Sequence, residues 1–161
     1  MGKNNDNDGE GIKIIGVNKR ASHEYFFLEK LECGMVLQGS EVKSLRDGHV
    51  TFADSYVRVD NGQLKVIGLN ISEYPMANRM NHQAVWPRKL LAHKREIRKL
   101  AHKEEEKGLT IIPLRIYFKH GLAKLEIALA RGKAEFDKRE SLKKRDFDMQ
   151  KKRIMNARRG R

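Results

Sequence analysis

The chain has 161 residues, a length that holds one ordinary domain with an appendage and excludes two full-sized domains. Its 34 Lys and Arg against 21 Asp and Glu give a net charge of +13, a large surplus for so short a chain. Three prolines, no Ser- or Gln-rich tract and no apolar run near the ~20 residues that span a bilayer exclude wholesale disorder and an integral membrane protein.

In chain order, residues 1–11 read as a flexible N-terminus, with neither the basic start nor the apolar centre of a signal peptide, so a cytoplasmic protein is expected. Tyr25 to Leu37 and Ala53 to Leu69 are rich in aromatic and β-branched residues and read as strands. Cys33 stands alone, which excludes an internal disulfide or a thiolate zinc cluster. Ser40 to Arg46 reads as a short helix capped by Ser40 and stopped at Asp47-Gly48. Asn61-Gly62 between alternating residues predicts a tight hairpin, because both turn positions need positive φ. A long helix is expected from Pro87 to Gly108, with eight basic residues against four acids between residues 86 and 107. A second hairpin runs from Leu109 to Leu129 and turns at Lys119-His120-Gly121, with Pro113 forced to an edge or a bulge. Short strands joined by tight turns predict a small closed or nearly closed β-barrel over residues 12–130.

Residues 131–161 hold only 8 of the hydrophobic residues but 13 Lys and Arg against 5 acids, a net +8. Such a tail cannot form a core, and self-repulsion leaves it disordered when alone. It has no helix breaker from Asp137 to Asn156, and Leu142, Met149 and Met155, or Phe147 and Ile154, recur about two turns apart, so it can fold as an amphipathic helix once phosphates neutralise it.

The chemistry of catalysis is missing. The six histidines show no metal-ligand spacing, and Gly39-Ser40-Glu41-Val42-Lys43-Ser44 lacks the first glycine of a phosphate loop. No carboxylate pair stands out, and no cofactor is called for. What remains is charge with aromatic company: Asn18, Lys19, Arg20, His23 and Tyr25 at the start of the barrel, Tyr56 with Arg58 on a strand, and the basic segment from Arg88 and Lys89 onward. Cations neutralise phosphates while exposed rings stack on unpaired bases, so nucleic acid is the expected ligand. A ribosomal or assembly protein and an RNA-processing enzyme remain as alternatives.

Several blocks, in order, resemble the small protein B family, the SsrA-binding proteins of bacterial trans-translation. They are Asn18-Lys19-Arg20 with His23-Glu24-Tyr25, Gly39 to Arg46, Asp54-Ser55-Tyr56, Arg88-Lys89-Leu90-Leu91 with His93, Glu96 and Ile97, Gly132-Lys133 with Asp137-Lys138-Arg139, and Arg153-Ile154-Met155. The resemblance implies an oligonucleotide-binding (OB) type barrel with flanking helices, a monomer that binds the tRNA-like domain of transfer-messenger RNA (tmRNA) and is not an enzyme. It implies RNA contacts by Asn18, Lys19, Arg20, His23, Tyr25, Glu41, Lys43, Arg46, Tyr56, Arg88 and Lys89. Glu41 would accept hydrogen bonds from base or ribose, orient a neighbouring cation, or serve only as a helix N-terminal acid. The tail, through Gly132, Lys133, Asp137, Lys138, Arg139, Phe147, Ile154 and Met155, would enter the decoding centre and empty messenger channel of the 70S ribosome, against 16S rRNA, with elongation factor Tu as a partner through the charged RNA.

Overall fold

A computed structural model describes residues 7–8 and 11–159. The strands are β1 (Asn7–Asp8), β2 (Ile12–Val17), β3 (Tyr25–Met35), β4 (Val50–Thr51), β5 (Tyr56–Asp60), β6 (Gln63–Ile67), β7 (Asn70–Ile71), β8 (Arg88–Leu91), β9 (Leu109–Lys119) and β10 (Leu122–Gly132). The helices are α1 (Ala21–Glu24), α2 (Gly39–Arg46), α3 (Lys94–Glu104) and α4 (Glu135–Arg159), with a 3₁₀ turn at Pro75–Met80. Eight strands form one sheet in the order β1-β2-β9-β10-β3-β8-β6-β5, and a further pairing of Val57 with Ile111 joins β5 to β9. The ladder therefore returns to its own third strand. Strands β4 and β7 pair apart from it. The fold is mainly β with several helices.

Both expected hairpins are present. Asn61 and Gly62 have φ of 49° and 72°, and Asp60 pairs with Gln63 across them; His120 and Gly121 have φ of 50° and 77° between Lys119 and Leu122. Pro113 lies beside a bulge in the β9–β10 register, the position its missing N–H requires. The interior faces of these strands bury Val57, Leu64, Val66, Ile111, Ile116, Leu125 and Ile127, together with Leu45 of α2, Leu90 of β8 and Leu100 of α3. A smaller apolar cluster lies on the outer face, where Ala21 of α1 covers Ile112, Leu114, Ala128 and Ala130.

Three expectations are corrected. The segment after Pro87 is not a single helix: Arg88–Leu91 pairs with β3 and β6, and α3 begins only at Lys94, after His93 and Glu96 close a capping box. Alternating burial of Arg88 and Leu90 against exposed Lys89 and Leu91 fits a two-residue period, which two flanking strands impose. Helix α2 is capped by Gln38 rather than Ser40, because Glu41 Oε2 accepts the Gln38 N–H at 2.8 Å; the Ser40 hydroxyl instead meets His82 Nδ1 at 2.9 Å. β10 runs two residues beyond Ala130, with Arg131 and Gly132 paired to Phe26 and Tyr25.

The tail, read from its spacing as able to fold as an amphipathic helix, is one helix from Glu135 to Arg159. Glu135 and Asp137 occupy its first turn, where negative charge suits the helix dipole, and no breaker follows. The flexible stretch expected at 1–11 lies partly outside the described residues; within it Asn7 and Asp8 pair with Lys13 and Ile12. Among the described residues, no helix is long and apolar enough to cross a membrane.

Candidate nucleic-acid interface

The turn between β2 and α1 is built by the β9 bulge. Asn18 N–H donates to Leu114 O at 2.7 Å, and its side-chain amide donates to Pro113 O at 2.9 Å. Asn18 thus serves as the peg of the turn, and Lys19 and Arg20 project from it, both exposed. Arg20 Nη2 lies 3.0 Å from Glu24 Oε1 in a solvent-exposed pair one helical turn apart, an interaction weak enough to exchange for a phosphate.

This turn forms one wall of a groove of about 600 Å³. Asn18, Lys19, Arg20 and Tyr25 come from one side; Asp54, Ser55 and Tyr56 come from the segment between β4 and β5 on the other. Tyr56 is 42% exposed, so its ring is available for stacking, while Tyr25 is half-buried. Asp54 holds φ at 57°, and the Ser55 hydroxyl donates to Phe52 O, which fixes the second wall. Residues about thirty positions apart are brought together because β5 closes onto β9 beside β2. The groove offers cations, carboxylates, hydroxyls and a ring at one place, the mixture that irregular or single-stranded RNA can use.

The remaining expected contacts lie elsewhere. Glu41 and Arg88 are almost wholly buried, at 1% and 2% exposure. Arg88 Nε donates to Glu41 Oε1 at 2.6 Å, Nη1 donates to Leu69 O at 2.6 Å, and Nη2 donates to Ala84 O at 3.0 Å. Trp86 Nε1 adds a bond to the same Glu41 oxygen at 2.8 Å. Of the three readings for Glu41, the geometry matches those of a helix N-terminal acid and of a partner orienting a cation; neither Glu41 nor Arg88 presents charge at the surface. Lys89, one residue on, is exposed. Lys43 is exposed on α2 with Nζ 5.7 Å from the Tyr74 ring, and Arg46 sits 5.8 Å from the Phe118 ring. His23 is half-buried on α1. Phe52 and Thr110 also line the groove, and no sequence pattern marks them as neighbours of Lys19.

At the tail, Lys133 is a tether. Its N–H donates to Glu24 O at 2.8 Å; its ammonium donates to Ser22 O at 3.0 Å and to Ser141 Oγ at 3.2 Å, and stands 4.9 Å from the Phe26 ring. These contacts fasten the first turns of α4 to α1. Asp137 O accepts from Ser141 Oγ at 2.8 Å, and Lys138 and Arg139 follow on the same turn. Further along, Phe147, Ile154 and Met155 are 66%, 58% and 52% exposed, so among the described residues the apolar side of the helix stays largely open to solvent. Among the described residues no cluster of three His, Cys, Asp or Glu is arranged to hold a metal ion. Burial pushes the Cys33 thiol up to about 12, and the nearby Glu96 and Glu32 carboxylates add to the effect, so it is a protonated core residue.

A mainly β body, with an open polar and aromatic groove and a long cationic helix, has the features of a macromolecule-binding module. Residues 15–157 match the SmpB protein family, and the chain belongs to that family. An SsrA-binding protein of Solidesulfovibrio magneticus is 53% identical over 86% of this chain and 90% of its own length. One from Carboxydothermus hydrogenoformans is 49% identical over 91% and 98%, respectively. Among solved structures, a chain from "tmRNA-SmpB: a journey to the center of the bacterial ribosome" is similar at a TM-score of 0.65 and 44% identity, over 79% of this chain and 93% of that one.

Proposed function

We propose that this protein binds the tRNA-like domain of tmRNA and delivers it to stalled ribosomes for trans-translation, as a monomeric cytoplasmic binding factor rather than an enzyme. The observation that carries the reading is the convergence of Asn18, Lys19, Arg20, Tyr25 and Tyr56 on one groove, in a chain whose relatives are SsrA-binding proteins. The return of the ladder from β5 to β9 supports an OB-type barrel as the scaffold. In this reading Lys19 and Arg20 neutralise phosphates, Tyr56 stacks, and His23, Lys43, Arg46 and Lys89 extend the cationic surface. Arg88 and Glu41 act from beneath, by holding the segment from Leu69 to Trp86 in place.

The tail is the ribosomal arm. A helix of 25 residues is about 37 Å long, enough to reach from the body into the decoding centre and the empty messenger channel. Gly132 and Lys133 set its departure; Asp137, Lys138 and Arg139 would meet 16S rRNA first, and Phe147, Ile154 and Met155 would find on the ribosome the apolar cover that they lack here. Elongation factor Tu would join through the charged RNA.

The test has two arms. Lys19→Ala with Arg20→Ala removes two phosphate partners, so binding to the tRNA-like RNA should weaken and the slope of log K against log salt should fall by about 1.4–1.8. A chain ending at Ala134 should keep the part of that binding made by the body and lose tag addition on stalled ribosomes altogether. Equal loss of both activities in the shortened chain would refute the division of labour.

A further inference from the structure

The Asn18–Ser22 turn has a second side. Behind it lies another groove, of about 590 Å³, between the outer face of the sheet and the side of α4. Its apolar lining is Phe27 with Val17 and Leu114. Around this stand Lys19, Lys30, Arg115 and, from α4, Arg145. A single carboxylate, Glu126, faces them, and it already accepts from Arg115 Nε at 2.8 Å. Lys30 Nζ lies 5.6 Å from the Phe27 ring, and Arg145 makes only a long contact, 3.5 Å, to the Ser22 hydroxyl. Lys19, Lys30 and Arg145 are all exposed.

A ring with ammonium groups beside it and no uncompensated acid is suited to an unpaired base with its flanking phosphates. Lys19 lines both grooves, so a strand in the first meets the second by crossing one turn of backbone. We infer that this second groove holds a continuation of the same RNA strand, with a base against Phe27 and phosphates at Lys30 and Arg145. The inference rests on the RNA-binding reading above and adds to it a physical link between RNA and tail: the RNA would touch α4 directly at Arg145. An apolar peptide would be drawn by Phe27 and Val17 but would leave the three cations unmatched, which is why RNA is favoured.

The experiment uses the full chain and the labelled tRNA-like fragment of tmRNA as probe. Lys30→Ala with Arg145→Ala, both at exposed positions, should lower the salt slope by about 1.4–1.8 while leaving the urea midpoint unchanged. Phe27→Leu keeps an apolar side chain against the outer cluster of Ile112, Leu114 and Ala130 but removes the ring, and should weaken binding roughly 5- to 100-fold. If Lys30→Ala with Arg145→Ala and Phe27→Leu both bind as the parent does, while Lys19→Ala with Arg20→Ala is weakened, the second groove is refuted and the first stands. If Lys19→Ala with Arg20→Ala also binds like the parent, both readings fall.

Discussion

Arg88 and Lys89 are neighbours of like charge, and the structure gives them opposite tasks. Arg88→Met would remove the guanidinium that pairs with Glu41 and that bonds to the carbonyls of Leu69 and Ala84. Glu41 would keep the Gln38 N–H and the Trp86 indole, but its charge would remain buried without a counter-ion. Breaking one side of a buried pair costs about 3–5 kcal/mol, and the orphaned carbonyls place this case toward the upper end. With a urea dependence of about 1–3 kcal/mol per molar, the midpoint should fall by roughly 2 M. Replacing Glu41 and Arg88 together with apolar residues removes the unpaired charge but leaves the Leu69 and Ala84 carbonyls and the Gln38 and Trp86 N–H groups without these partners, so only part of the loss should return. Lys89→Met should do the reverse, leaving the midpoint within error and reducing the salt slope of RNA binding by less than one contact. The assay is urea unfolding followed by tryptophan fluorescence, since Trp86 sits in the cluster, with salt-dependent RNA titration at temperatures where each variant is folded. An Arg88→Met protein with an unchanged midpoint and a flattened salt slope would mean that Arg88 faces the RNA and does not hold Glu41 in the interior.

Gly68 lies across from Asp54, and a Cβ there would stand 2.8 Å from Asp54 O with φ at +76°. Gly68→Ala should therefore cost more than the ~1–2 kcal/mol of a left-handed alanine and should also weaken RNA binding, because Asp54 and Ser55 line the first groove. Gly62→Ala, at φ +72° but facing open space, should show the conformational cost alone, and equal losses at both sites would argue against the clash. For Cys33, the ordinary value of 9.0 is raised to about 12 in the folded chain. The unfolded chain then loses its proton first, so stability should be flat below pH 8 and fall above pH 9 by up to about 1.4 kcal/mol per unit from this group. Chemical denaturation across pH, compared with Cys33→Ala, checks it; the variant should fall less steeply above pH 9, and an identical slope would exclude Cys33 as the cause.

Local chemistry is legible in the sequence wherever a few adjacent residues decide the outcome. Asn61-Gly62 and His120-Gly121 fix two hairpins because these pairs accept positive φ. Pro113 could be placed at a bulge because it has no N–H to donate. The charge of the tail and its unbroken helical pattern were equally readable, and so were the family blocks around Asn18 and Tyr56. That several of these residues line one groove was legible in part for that reason, although nothing in the chain said that Tyr56 would face Lys19.

What the sequence determined by itself is a mainly β chain with tight turns, an excess of cations concentrated late in the chain, and a set of candidate contacts. Tertiary structure decided which of those cations reach solvent. Arg88-Lys89-Leu90-Leu91 after Pro87 satisfies the start of a helix as well as a strand, and only pairing with β3 and β6 chose the strand. That choice turned Arg88 inward to Glu41 and left Lys89 outside, since alternate side chains in a strand face opposite ways. Closure of β5 onto β9 carried Tyr56 to the Asn18–Arg20 turn, while the pairing of β3 with β10 and the Lys133 tether set Phe27, Lys30 and Arg145 behind it. Backbone preference acts over a few residues, whereas exposure is settled by which surfaces meet, and that depends on strands far apart in the chain.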